Sequence, residues 1–328
     1  MGARRHELIA ALGFLAPNFL GFLLFTAGPV LFSLGVSFSN WNLQRTIPFQ
    51  WIGFGNFVEL MHDPIFWVNF TNTVYLMLGM PVAIVGSLFL AVLLSQRLRG
   101  IVAYRTLFYL PTFTSGVALM ILWKALYNPE FGPVNAAFNW ALLTFHINDL
   151  TQALGGSGIH PPAWLLSTKN VLGLDVEQVR MIRSQWGLGA RDALIIMGVW
   201  IGIGGSNMLL YIAGLSNIPP ELVEAAQLDG ANNWGVFRHV TLPQLAPTTF
   251  FIVVMSFIGG LQGGFEQARV MTLGGPAGTT TTIAYHIYTK AFEEFQIGYA
   301  SALSWILFSI IFVITIINWR LGNRELSY

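Results

Sequence analysis

The sequence predicts an all-α, polytopic membrane protein with six transmembrane helices and a polar helical hairpin between the fourth and fifth. Three observations predict it. First, 54% of the 328 residues are hydrophobic and only 9% are charged, whereas a soluble domain carries roughly a quarter charged residues. Second, the mean hydropathy of +0.61 is concentrated in long runs without charge. Third, the stretch Ile218–Pro247 interrupts these runs with polar, helix-forming sequence.

Six charge-free runs are strongly apolar: Leu8–Gln44, Pro64–Gln96, Thr106–Trp123, Ala193–Pro220, His239–Phe265 and Phe295–Trp319. A bilayer takes about 20 apolar residues of helix, so each run predicts a span. The spans are expected near 8–38, 68–96, 104–126, 191–216, 244–265 and 296–320, in a single domain covering 1–328. An external loop is expected at 128–190 and the hairpin at 217–243. Three further uncharged runs, Phe131–Asn148, Thr151–Thr168 and Val270–Thr289, are rich in Asn, Gly, Pro or Thr and read as loops or surface-lying segments. Arg4-Arg5 before the first run resembles a signal-peptide start. The run is too long and no small-x-small cleavage site follows, so a retained helix is expected.

Cationic residues set the expected orientation. With the N-terminus inside, Arg4, Arg5, Arg97, Arg99, Arg105, Arg238, Arg320 and Arg324 are cytoplasmic. Arg45, Lys124, Arg269 and Lys290 are external, as are the cations of the long third-to-fourth loop, which weigh little in this rule. Both termini and the hairpin therefore fall on the cytoplasmic side. A net charge of +1 argues against a nucleic-acid surface. The absence of cysteine excludes disulfides and thiolate metal sites.

Within the hairpin, Pro219-Pro220 suit a helix start, and Glu221 and Glu224 lie toward the positive end of its dipole. Asp229-Gly230 reads as its stop. Asn232 or Asn233 caps a second short helix carrying Trp234, Phe237 and Arg238, which Pro243 and Pro247 are expected to end. The letters run E-A-A-x3-G-x9-V-x-L-P over Glu224, Ala225, Ala226, Gly230, Val240, Leu242 and Pro243. This resembles the EAA loop of inner-membrane permeases of binding-protein-dependent ABC importers, with Val where Ile is usual.

Other tracts resemble the carbohydrate-type members, the maltose and glycerol-phosphate permease group. They are Trp51–Phe57, Asp63-Pro64, Asn72-Thr73, Asn128-Pro129 with Gly132 and Asn135, Pro162–Leu165, Thr272–Pro276 and Gly298–Ala300. The resemblance covers nearly the whole chain, the long external loop excepted. It implies a bacterial or archaeal cytoplasmic (inner) membrane and a role as translocation subunit. It also implies two ATP-binding partner subunits that hold ATP and Mg, a second homologous permease and an extracytoplasmic solute-binding protein. The residues it points to for ATPase coupling are Glu224, Ala225, Ala226, Asp229, Gly230, Trp234, Phe237, Leu242 and Pro243. For the substrate path it points to Trp200, Asn207, Ser256 and Gln262, on the spans flanking the hairpin.

Other chemistries lack their residues. None of Lys124, Lys169 and Lys290 sits in a Walker A loop, so no nucleotide cofactor is expected on this chain. The six histidines have no metal-like spacing. The charge-free spans disfavour an ion-coupled secondary carrier, whose relays are usually charged. An uncharged path suits a sugar, held by neutral hydrogen-bonding groups beside aromatic rings. A permease of the same type for a non-sugar solute and a secondary carrier stay open as alternatives. So does a membrane-embedded enzyme using Glu266, Glu293 and Glu294. In the external loop, Leu174–Trp186 reads amphipathic, with Arg180 and Arg183 off the apolar face. It is expected either to lie on the bilayer or to contact the delivering protein.

Overall fold

The computed structural model describes residues 2–44, 48–96, 99–153, 159–173 and 186–325. Among them are helices and no strand, with isolated bridges joining Ser39 to Trp51 and Asn170 to Trp186. Five helices are long and apolar enough to cross a bilayer: Ala10–Ser37, Pro64–Ser95, Ala190–Ser216, Ala246–Thr272 and Ile297–Arg320. The pair Ile101–Phe113 and Gly116–Leu126 makes the sixth when counted as one span.

That pair differs from the single span expected near 104–126, because its halves are bent by 100°. Pro111 supplies no N–H, and its ring excludes the turn before it. The chain tightens into a 3-10 turn over Leu110–Phe113, passes through extended Thr114 and Ser115, and restarts at Gly116. The fourth span also breaks, between Ala190–Ile203 and Gly205–Ser216. At the break, Gly204 packs so closely on the Phe108 carbonyl that a Cβ there would overlap it.

Spans four and five are not free of charge as folded. The fourth begins with buried Arg191 and Asp192, and the fifth extends through Glu266 and Arg269.

The uncharged runs read as loops or surface segments differ as well. Within Phe131–Asn148, residues Pro133–Thr144 form a helix. Asn135 on it is buried: its Oδ1 accepts from Trp164 Nε1 at 2.6 Å, and its Nδ2 donates to the carbonyls of Pro129 and Pro162 at 3.2 and 3.4 Å. This one amide ties the N-P-x-x-G-x-x-N turn to the P-A-W-L tract. Asn135→Leu is expected to destabilise by about 1–3 kcal/mol, since it orphans a buried donor and two acceptors. A thermal unfolding midpoint in detergent equal to wild type would contradict this.

Within Val270–Thr289, the chain turns back into the protein, burying Thr279, Thr280 and Thr282 before the helix Ile283–Tyr288. Thr151–Thr168 contributes the end of the helix Ile147–Ala153 and a 3-10 turn at Trp164–Leu166. Of the amphipathic stretch Leu174–Trp186, positions 174–185, with Arg180 and Arg183, lie outside the described residues.

The chain divides into two compact units, Met1–Asp63 with Ile287–Ser309, and Pro64–His286 with Ile310–Tyr328. In the first, Asn56 Nδ2 donates to the carbonyls of Ser37 and Ser39, both at 2.8 Å, closing the end of the N-terminal helix. Tyr299 donates to Asp63 Oδ2 at 2.8 Å. The second unit holds two apolar clusters. One gathers Trp123, Tyr127, Trp164, Leu194 and Met197; the other gathers Leu94, Met208, Tyr211, Leu245 and Ile252. The candidate site lies in this second unit.

Candidate functional site

The hairpin folds from its own sequence. Pro220–Leu228 is a helix with proline in its first turn and Glu221 near its N-terminus. Asp229 ends it, donating its N–H to Ala225 O at 3.0 Å, and Gly230 turns the chain at φ +88. Asn232 caps the next helix, its Oδ1 accepting from Gly235 N at 2.8 Å. Trp234 and Phe237 stack with ring centroids 5.6 Å apart.

Pro243 and Pro247 do not end this second helix as expected. Asn233–Val236 runs through a π-helical turn at Phe237–Thr241 into Leu242–Gln244. The wider turn lies just N-terminal to Pro243, where the ring would otherwise press on the carbonyl four residues earlier. The helical path then enters Ala246–Gln262, linked by Leu245 N to Thr241 O at 3.0 Å and Thr249 N to Leu245 O at 2.8 Å. The hairpin thus meets the span through a single turn residue, Leu245.

Its outer surface is apolar and acidic together. Leu228 and Trp234 are 89% and 66% exposed, and Glu224, Ala225, Asp229, Leu242 and Pro243 are exposed too. Ala226 and Phe237 are half-buried. Behind the hairpin is a cavity of about 550 Å³ whose lining includes Glu224, Gln227, Thr241, Ser95 and Arg105. Arg105 is fixed there by donating through Nε and Nη2 to Leu94 O at 3.1 and 2.7 Å.

Deeper in the same unit lies a second cavity of about 540 Å³, within the range of about 300–1,000 Å³ usual for small-molecule sites. Its polar groups come from separate segments: Thr73, Asn207, Ser256, Gln267 and Thr282. Glycines at 198, 202, 259, 260, 263 and 264 make much of its wall, and no charged or aromatic side chain lines it. Asn207 and Ser256 of the expected path therefore meet in one cavity. Trp200 does not line it; its ring packs edge-on against Trp123 at 5.4 Å and is half exposed. Gln262 is exposed and also lies off the lining.

The expected pairing of polar groups with aromatic rings is half present. Aromatics of this unit pack on one another instead, Trp123 against Tyr127 and Tyr127 against Trp164, each pair tilted with centroids 5.2 Å apart. Gln267, Thr73 and Thr282 were not legible as lining residues. Thr73 lies in the N-T tract, which marked it for attention without a role. Gln267 and Thr282 come to the cavity only because the fifth span breaks at Gly263-Gly264 and the following chain turns inward.

The chain has clear relatives. A profile described as binding-protein-dependent transport system inner membrane component matches residues 52–324. The chain is 34% identical over 329 residues to the probable ABC transporter permease protein YesP of Bacillus subtilis (strain 168), covering 99% of this chain and 94% of that one. It is 30% identical over 317 residues to the lactose transport system permease protein LacF of Rhizobium radiobacter, covering 95% and 93%. In fold it is similar to a chain from the crystal structure of a bacterial ABC transporter involved in the import of the acidic polysaccharide alginate. That likeness has a TM-score of 0.74 at 23% identity and covers 99% of this chain and 98% of the other.

Proposed function

The chain belongs to the family of binding-protein-dependent transport system inner membrane components, and from that premise we propose that it forms one half of the solute path of an ATP-driven sugar importer. The observation that carries the reading is a connection. The hairpin bearing Glu224, Ala225, Ala226 and Gly230 joins the two helices that bring Asn207 and Ser256 to one cavity. Force applied at the hairpin therefore acts on both walls of that cavity.

In this reading the exposed face of the hairpin, with Glu224, Ala225, Ala226, Asp229, Trp234, Phe237, Leu242 and Pro243, docks on an ATP-hydrolysing partner. Two such subunits hold ATP and Mg, a second homologous permease supplies the other half of the path, and an extracytoplasmic binding protein delivers the solute. The hairpin and both termini face the cytoplasm of a bacterial or archaeal cell, as the arginine distribution favours. Closure of the ATPases swings the helices between inward- and outward-facing arrangements.

A sugar is favoured because a relative carries the name of a lactose transport system permease. The cavity supports the same reading: its polar groups are neutral, matching hydroxyls, and none is basic. The test is uptake by the complete complex in proteoliposomes, using the sugar that its own binding protein retains. Losing a hydrogen bond to a polar solute costs about 1 kcal/mol, so Asn207→Leu and Gln267→Leu are each expected to raise the half-saturation for uptake several-fold. Gln262→Leu, off the cavity, is expected to leave it unchanged. If all three behave alike, the solute does not bind in this cavity.

A further inference from the structure

Arg191 and Asp192 lie one turn before Leu194 and Ile195 of the cavity wall, yet neither lines the cavity. Both are almost wholly buried, at 3% and 4% exposure. A buried charge is costly unless its surroundings satisfy it, and all but Nη1 of the Arg191 guanidinium is engaged, so the partners of the two residues show what they hold.

Asp192 closes its own end of the helix. Its carboxylate accepts from Gly189 N at 3.1 Å, from Val171 N at 3.4 Å and from the Tyr75 hydroxyl at 2.7 Å. Arg191 reaches elsewhere. Its Nε donates to Thr279 O at 3.0 Å, and its Nη2 donates to Asn72 Oδ1 at 2.8 Å. Its Cζ lies 5.4 Å from the centroid of the Tyr75 ring, in cation–π range. Asn72 in turn donates through Nδ2 to Gly278 O at 2.8 Å and to Thr281 O at 3.0 Å. The guanidinium and the amide together grip three carbonyls of one inward-turned loop.

That loop ends at Thr282, and the residue after Asn72 is Thr73; both threonines line the cavity. The two segments are joined next to them, since Ile283 N, one residue after Thr282, donates to Thr73 Oγ1 at 3.0 Å. The grip thus acts immediately behind the threonine wall.

We propose that Arg191 is a positioning residue: through Thr279 and Asn72 it holds the threonine wall of the cavity in place, and so sets how tightly solute is bound. The link to solute rests on the reading of this cavity as the solute path. Without the guanidinium, the carbonyl of Thr279 and the amide oxygen of Asn72 lose buried partners, and the loop between Gly278 and Thr282 is free to shift. Lysine keeps the charge but carries one ammonium where the site needs a fork reaching two acceptors.

The chain has no cysteine, so a single introduced thiol reports without background from this subunit. Thr282→Cys is placed in the complete importer in membrane vesicles and its reaction with N-ethylmaleimide is followed on the separated chain. Ser256→Cys, which lines the same cavity from another segment and is no part of the grip, serves as the second reporter. Arg191→Met is expected to accelerate labelling at position 282 about tenfold or more, as expected when hydrogen bonds to a charged donor are lost, and to leave the rate at 256 unchanged. Arg191→Lys is expected to fall between, and Asn72→Leu to match Arg191→Met. Equal rates at 282 with and without Arg191, or equal acceleration at both reporters, would overturn the proposal. If Arg191→Met fails to reach the membrane, Arg191→Lys and Asn72→Leu decide by the same criterion. Uptake separates the two layers. Labelling that moves while Asn207→Leu and Gln267→Leu leave uptake untouched removes the solute from the cavity and keeps the grip. Labelling that stays fixed while those variants raise half-saturation removes the grip and keeps the cavity.

Discussion

Gly230→Pro is expected to abolish solute uptake by the complete importer while leaving the chain in the membrane and the partner ATPases active. Gly230 turns the hairpin at φ +88, with its N–H donated to Gln227 O at 3.0 Å. Proline fixes φ near −65° and has no N–H, so it fits neither the angle nor the bond. The turn must reorganise, and Glu224–Ala226 on one side and Trp234 on the other lose their mutual placement. No atom packs where a Cβ at Gly230 would lie, so damage stays local and the spans assemble. A strain of a few kcal/mol corresponds to about a hundredfold loss of uptake. Gly230→Ala, which strains only φ, costs about 1–2 kcal/mol and is expected to fall between. Uptake, ATP hydrolysis and membrane abundance measured together check the prediction. Normal uptake by Gly230→Pro would remove this hairpin from the coupling path. Glu224→Lys is expected to uncouple in the same way, because it sets a second cation in the cavity that holds Arg105.

The second large effect is expected at Gly264. Its φ is +84, and a Cβ there would overlap the Thr282 methyl. A β-branched residue is strongly disfavoured at positive φ, so Gly264→Val both strains the break in the fifth span and pushes the threonine wall away. Half-saturation is expected to rise at least about tenfold, corresponding to the 1–3 kcal/mol of a strained position. Basal ATP hydrolysis is expected to be unchanged, since the hairpin is untouched. Gly259→Ala is the contrast: that glycine lines the same cavity, but its φ is ordinary and nothing lies within 4 Å of its added methyl. Near-normal uptake is expected from it. Equal losses in the two variants would show that added bulk, rather than the Gly264 conformation, matters.

The sequence carried the hairpin almost entirely, because its signals are local: proline at the start, glycine at a positive φ and an asparagine cap act within a few residues of themselves. It misplaced only the end, since a π-helical turn carries the second helix past Pro243 to Gln244. Spans were legible as apolar runs, but their breaks were not. The bend after Pro111 sits inside one charge-free run, and the break at Gly204 depends on the backbone of Phe108, distant in sequence. The cavity was half legible. Asn207 and Ser256 lie on spans flanking the hairpin, whereas Thr282 arrives by a turn stabilised through Arg191 and Asn72. Those two residues looked like a loop charge and a motif letter until the fold brought them together.

The most direct test of the account is paired measurement of ATP hydrolysis and sugar accumulation in proteoliposomes, with and without the partner subunits and the binding protein. The account predicts accumulation only when partners, binding protein and ATP are all present, and predicts that Gly230→Pro separates persistent hydrolysis from lost accumulation. Accumulation by this chain alone, without ATP, would contradict it.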